Sequence, residues 1–215
     1  MYSNDENIEQ ETLKRWQNTY GVPGAWRMKS FLDFNRHAQP VAYDRLYNYS
    51  GGSFVLSSPG IWGVGKTHLA CALANALIDI RSKTRMTSWG VVVSTPCPVY
   101  YTTENDLLLR IRNCFNSGAE TEDKVYQVLR MFKLLIIDDV GKVKPRDYSF
   151  LQGVYFALID ERYTGKKDIL ITTNLSGAEL EAHIGGACAD RLREMCGDNF
   201  ITMKGVSYRC AISKG

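Results

Sequence analysis

No two cysteines in this chain stand at metal-ligand or redox spacing. Cys71, Cys97, Cys114, Cys188, Cys196 and Cys210 are dispersed without a C-x-x-C pair, which argues against a structural zinc site and a dense disulfide scaffold and leaves reduced, structural thiols. Apolar runs of membrane-spanning length are absent, and the opening residues Met1-Tyr2-Ser3-Asn4-Asp5-Glu6 are acidic and lack the apolar stretch of a secretory signal. A cytoplasmic protein with no membrane partner is expected. Charge of one sign is scarce too: 26 Lys and Arg against 23 Asp and Glu leave a net +3. That surplus excludes a strongly acidic chain and permits a local basic patch, without itself indicating nucleic-acid binding. Internal repeats and low-complexity tracts are missing as well. At 215 residues the chain is long enough for one domain with a substantial core.

What is present is concentrated in a few motifs. Gly60-Ile61-Trp62-Gly63-Val64-Gly65-Lys66-Thr67 follows the apolar stretch Ser53-Phe54-Val55-Leu56-Ser57 and opens an alanine-rich segment. A strand, a glycine-rich turn and a helix in that order make a phosphate-binding P-loop. Backbone N–H groups of Gly60, Gly63, Val64, Gly65 and His68 can wrap phosphate oxygens, Lys66 can reach the β- and γ-phosphates, and the Thr67 hydroxyl can sit on Mg²⁺. Leu69, Ala72, Leu73, Ala76, Leu77 and Ile80 recur at helical spacing, predicting a helix over 66–81 whose N-terminus faces the phosphates.

Further along, strands are predicted over 98–102, 133–138, 168–173 and 199–203, with helices over 105–113, 124–131, 148–163 and 188–196. Gly90-Val91-Val92-Val93 reads as an added strand or hairpin in a long connection, and Ile8 to Tyr20 as a short amphipathic helix. The alternation implies an α/β fold, a parallel sheet flanked by helices. Leu134-Leu135-Ile136-Ile137-Asp138-Asp139 suits a central parallel strand with two acids at its carboxyl end, where such sheets place ligands. Asp138 would hold the Mg²⁺ shell and Asp139 would orient the attacking water. Ile171-Thr172-Thr173-Asn174 ends a third strand, so that Asn174 could meet the γ-phosphate or the water; it also fits a plain cap or turn. Aromatic and basic residues mixed over 25–50 fit a core covering, or stacking on bases or adenine.

Together these residues resemble the AAA+ ATPases of the DnaC/IstB type, the bacterial replicative helicase loaders and the ATPase partners of transposases. The likeness runs through Gly60 to Ala70, Leu134 to Gly141, Ile171 to Leu175, Asp190-Arg191-Leu192 and Gly205-Val206-Ser207-Tyr208-Arg209. It implies a P-loop NTPase fold with an AAA+ core, divided as an N-terminal segment (1–20) and an ATPase domain (21–215); no sizeable C-terminal lid of the kind larger AAA+ proteins carry is expected after Arg209. It also implies ATP and Mg²⁺ as cofactors. Asn174 would be sensor 1, Arg191 the arginine finger that reaches a neighbouring subunit's γ-phosphate, and Arg209 sensor 2; the two arginines also fit ordinary surface positions. Asp139 stands where many AAA+ proteins carry glutamate.

The implied partners are further copies of the chain, single-stranded DNA, and a replicative helicase or a transposase. Lys142, Lys144 and Arg146, directly after the two acids, are the candidate DNA contacts, or else a solvated basic loop. A monomeric small-molecule P-loop kinase is the alternative of another class. No acceptor-site motif or arginine cluster of a closing lid supports it.

Overall fold

The computed structural model describes residues 13–15, 17–82, 85–86, 92–93, 97–117, 120–142 and 144–208. Arg209 and residues 8–12 and 16 of the predicted N-terminal amphipathic helix lie outside these residues; 13–15 and 17–19 are helical. Seven strands are β1 (Phe54–Ser57), β2 (Arg85–Met86), β3 (Val92–Val93), β4 (Val99–Thr103), β5 (Leu134–Val140), β6 (Asp168–Thr173) and β7 (Phe200–Thr202). Among the described residues, besides the helical 13–15 and 17–19, they are accompanied by α1 (Pro40–Tyr47), α2 (Lys66–Ser82), α3 (Glu104–Ser117), α4 (Glu122–Met131), α5 (Tyr148–Thr164), α6 (Gly177–Ile184) and α7 (Gly186–Cys196).

Five strands form one sheet in the order β4-β5-β6-β1-β7, with every neighbouring pair parallel. β2 and β3 pair antiparallel as a separate ribbon, and β3 falls in the stretch 90–93 expected as an added strand or hairpin, of which 90 and 91 lie outside the described residues. Because side chains alternate across a strand, each strand feeds two cores. Phe54, Leu56, Leu134, Ile136 and Leu170 face a cluster built with α1 and α2. Val55, Leu135, Ile137, Ile169 and Ile171 face a second cluster built with α3 to α7. Burial on both faces explains why these strands read as continuous apolar runs.

The long elements fall where periodicity predicts them, within a few residues at their ends. Two helices were not predicted. α1 buries only Ala42 and Leu46, too narrow a stripe to read as a helical period, and begins with Pro40 in its first turn. α6 is short, and its sequence signal is a capping box in which the Ser176 and Glu179 side chains exchange backbone hydrogen bonds. Of the aromatics over 25–50, Phe31 and Phe34 are buried in the core and Trp26, Tyr43 and Tyr49 pack against that cluster, whereas Tyr47 is 60% exposed.

Arg162 of α5 ties the end of the sheet opposite the P-loop together. Its guanidinium is buried and donates to the carbonyls of Leu129, Phe132, Lys133 and Asp168, and burial pushes its pKa down to about 10. Arg162→Met leaves these buried acceptors without their donor. A loss of about 3 kcal/mol or more is expected. For a domain of this size that is a fall of roughly 6–12 °C in the thermal midpoint, measurable by circular dichroism.

Candidate nucleotide-binding site

β1 ends at Ser57, and residues 58–65 turn the chain into α2. Gly60, Gly63 and Gly65 all have positive φ, +68°, +78° and +97°. At Gly65 a Cβ would stand 2.4 Å from Cε2 of Phe34, so the lead-in segment closes directly onto the loop. Val64 between the glycines is fully buried and anchors the turn in the core. The N-terminus of α2 therefore faces the loop, which makes an anion cradle.

Lys66, only 7% exposed, donates from Nζ to Ser58 Oγ and, at 2.6 Å, to Asn174 Oδ1. Thr67 Oγ1 lies 3.1 and 3.0 Å from the two oxygens of Asp138. Four residues predicted from separate stretches, Lys66, Thr67, Asp138 and Asn174, thus converge at the carboxyl ends of β1, β5 and β6. Asp138 also accepts the Tyr101 hydroxyl at 2.7 Å and the Thr172 hydroxyl. Burial pushes the Asp138 pKa up, the Thr172 and Tyr101 hydroxyls pull it back, Asp139 adds to the rise, and Thr67 opposes it. Burial, together with the Asp138 charge, keeps the Tyr101 phenol protonated and donating.

Asp139 is bulged out of its strand. The β5–β6 register shifts between Ile137 and Val140, and Asp139 takes φ +59°, a left-handed conformation uncommon for any residue but glycine. Its N–H donates to Thr172 Oγ1 at 3.0 Å, and its carboxylate pairs with Lys142 at 2.7 Å. One hydroxyl, that of Thr172, therefore holds both acids. Lys142, Lys144 and Arg146 are all exposed, with Lys142 turned back onto Asp139.

Other predicted residues are placed differently. The His68 ring points away from the loop, its Nε2 3.0 Å from Ser30 O and its edge against Phe34 and Trp26. Only its backbone is left to serve a phosphate. Arg191, on α7, pairs with Asp160 Oδ1 at 3.0 Å and lies over the rings of Phe156 and Tyr163. All three partners belong to α5, and none to the P-loop or the strand ends. Arg209 follows the last described residue, Tyr208, whose N–H donates to Gly63 O at 3.0 Å and whose ring packs on Phe34.

Ser58, Tyr101 and Thr172 were missed as members of the site. Two adjacent threonines at the end of an apolar strand were a usable signal for Thr172; Ser58 and Tyr101 offered none beyond their nearness to motifs. Among the described residues no group of three or more His, Cys, Asp or Glu could hold a metal ion. Thr67 and Asp138 instead form a small all-oxygen set, of the kind a hard cation completes with phosphate and water. No described helix is long and apolar enough to cross a membrane.

A family model described as IstB-like ATP binding protein matches residues 52–214, which takes in the P-loop, both acids, Asn174 and Arg191. This chain belongs to that family. The IstB-like chain is 28% identical over 168 residues to the replicative helicase loader DnaC of Buchnera aphidicola subsp. Baizongia pistaciae, covering 78% of itself and 60% of that relative. It is 25% identical over 218 residues to the phage-like element PBSX protein XkdC of Bacillus subtilis, covering 94% of itself and 74% of that protein. A solved DnaC helicase loader superposes with a TM-score of 0.59 at 21% identity, covering 84% of this chain and 98% of that one. At that identity the likeness speaks to fold, and the IstB-like chain has the P-loop AAA+ fold expected of it. Among the described residues no helical lid follows β7.

Proposed function

We propose that this chain is an ATP-hydrolysing AAA+ protein of the cytoplasm that assembles with copies of itself, contacts single-stranded DNA and acts on a replicative helicase. The observation that carries the ATPase reading is the meeting of Lys66, Thr67, Asp138 and Asn174 around one anion cradle. In the described arrangement Lys66 is satisfied by Ser58 and Asn174; phosphate oxygens would take over its protons, releasing Asn174 to face the γ-phosphate or the attacking water. Thr67 and Asp138 would hold Mg²⁺, which neutralises phosphate charge when bound. Asp139, at the bulge near the end of β5 and one-third exposed, would polarise the water.

The partners of Arg191 all lie on α5 and none at its own P-loop, which supports a role on the nucleotide of a neighbouring copy. A guanidinium stabilises charge spread over γ-oxygens without changing protonation state. Arg209 would act on the phosphates of its own subunit. The helicase is favoured by the relatives named helicase loaders, which this chain spans to about three fifths of their length. The matched family favours a second reading with the same chemistry, an ATPase that directs a transposase to target DNA. Pull-down against the two kinds of partner separates them.

The test is steady-state ATP hydrolysis against protein concentration, with and without single-stranded DNA, using Lys66→Ala as the blank. Turnover per subunit should rise with concentration and respond to DNA. Turnover that ignores both would withdraw the shared site and the loader role, and leave a monomeric P-loop enzyme.

A further inference from the structure

Glu104, the first residue of α3, belongs to none of the motifs above, and it is 1% exposed. Its Oε1 accepts the Tyr155 hydroxyl of α5 at 2.7 Å and lies 2.8 Å from His183 Nε2 of α6. Its Oε2 accepts the Gly141 N–H at 2.9 Å. Tyr155 and His183 are themselves 0% and 5% exposed. A carboxylate taken so far out of water is costly unless its oxygens are met, and here three elements each bring a donor. Apolar residues of similar volume often fill such a position with equal or greater stability, so packing alone does not account for the cluster. What the cluster supplies is a fixed direction for one backbone N–H.

That N–H lies two residues beyond Asp139. The turn is left-handed at both Asp139 (φ +59°) and Gly141 (φ +79°). Gly141 is wedged: a Cβ there would lie 2.4 Å from Cδ1 of Leu175, the residue after Asn174. Between them, Val140 O accepts the Thr173 hydroxyl at 2.7 Å. Asp139 is therefore anchored before its side chain by its own N–H on Thr172, and after it by the Gly141 N–H on Glu104. The Lys142 ion pair is exposed, a weak kind of contact, and cannot substitute for the second anchor.

We propose that Glu104, braced by His183 and Tyr155, is a positioning residue that holds the 139–141 turn so that the Asp139 carboxylate points at the attacking water. The proposal rests on the ATPase reading above. Glu104→Leu removes the acceptor at nearly constant volume, and Glu104→Gln keeps an oxygen for the Gly141 N–H. With Glu104→Leu, kcat should fall about 10- to 100-fold, because a small misplacement of a reacting group costs that much. KM and the affinity for a non-hydrolysable ATP analogue should stay within about three-fold, the pattern of a change felt only in the transition state. The Gly141 amide should exchange with solvent about ten-fold faster or more, while the β1 and β6 amides keep their protection. Glu104→Gln should recover most of the turnover.

A folded Glu104→Leu protein with the parent kcat, or with unchanged Gly141 exchange, overturns the proposal. So does a loss of turnover that merely follows a general loss of amide protection. If Glu104→Leu fails to fold, His183→Leu, which removes the brace and leaves Glu104 in place, should show the same pattern at smaller size, and parent-like values there overturn it equally. No turnover by the parent above the Lys66→Ala blank would instead bring down the ATPase reading; amide exchange at Gly141 then decides alone whether Glu104 holds the turn.

Discussion

Arg191→Ala is expected to lower ATP turnover by roughly 10³-fold or more under conditions where the parent is assembled, the scale at which an arginine finger contributes. Affinity for ATP should change little, because every described partner of Arg191 sits on α5 rather than at its own P-loop. Its ion pair with Asp160 and the rings of Phe156 and Tyr163 hold the guanidinium on a partly exposed face. Arg191→Lys should not rescue, since an ammonium lacks the planar fork that meets two phosphate oxygens at once. Mixing makes the expectation sharper. Arg191→Ala and Lys66→Ala are each inactive alone, but a Lys66→Ala subunit can lend its Arg191 to the intact P-loop of an Arg191→Ala neighbour. Turnover in the mixture above the sum of the separate proteins is the expected result. An Arg191→Ala protein with full turnover would remove the finger assignment.

Asp139→Asn should reduce kcat by about 10²-fold or more, the usual contribution of a positioned general base. Asparagine is nearly isosteric and tolerates the left-handed backbone better than most residues, so the bulge should survive. Its N–H can still reach Thr172, and the ion pair lost with Lys142 is an exposed one. ATP binding should therefore persist, measured as the affinity of a non-hydrolysable analogue, while turnover disappears. The same change at Asp138 would not be as clean. That carboxylate accepts three hydroxyls, from Thr67, Tyr101 and Thr172, and an amide cannot accept all of them. Retained turnover in Asp139→Asn would assign the water to another group.

Much of this site could be read from the chain. The P-loop is legible because its chemistry is local: glycines at fixed spacing, a lysine and a hydroxyl entering a helix. Asp138 and Asp139 stand out because an apolar strand buried on both faces can end in adjacent acids only at its edge. Thr172 was less legible, since its role comes from lying beside Asp138 on the neighbouring strand. Glu104 and His183 were not legible at all. They are 79 positions apart and meet only because α3 and α6 converge beneath the turn after β5. His68 shows the converse: a residue inside the motif whose ring is drawn off by Ser30, Trp26 and Phe34.

By itself, the amino-acid order determined the long elements and the cradle, because apolar period, glycine placement and a helix N-terminus act over a few residues. The tertiary structure decided which strand ends become neighbours. β6 lies between β1 and β5, and that order brings Asn174 to Lys66, 108 positions away, and Thr172 between the two acids. It also decided that Arg191 rests on α5, away from its own cradle. Strand order follows from how helices cover the two faces of the sheet, a balance summed over both cores, and no short pattern in a sequence carries that sum.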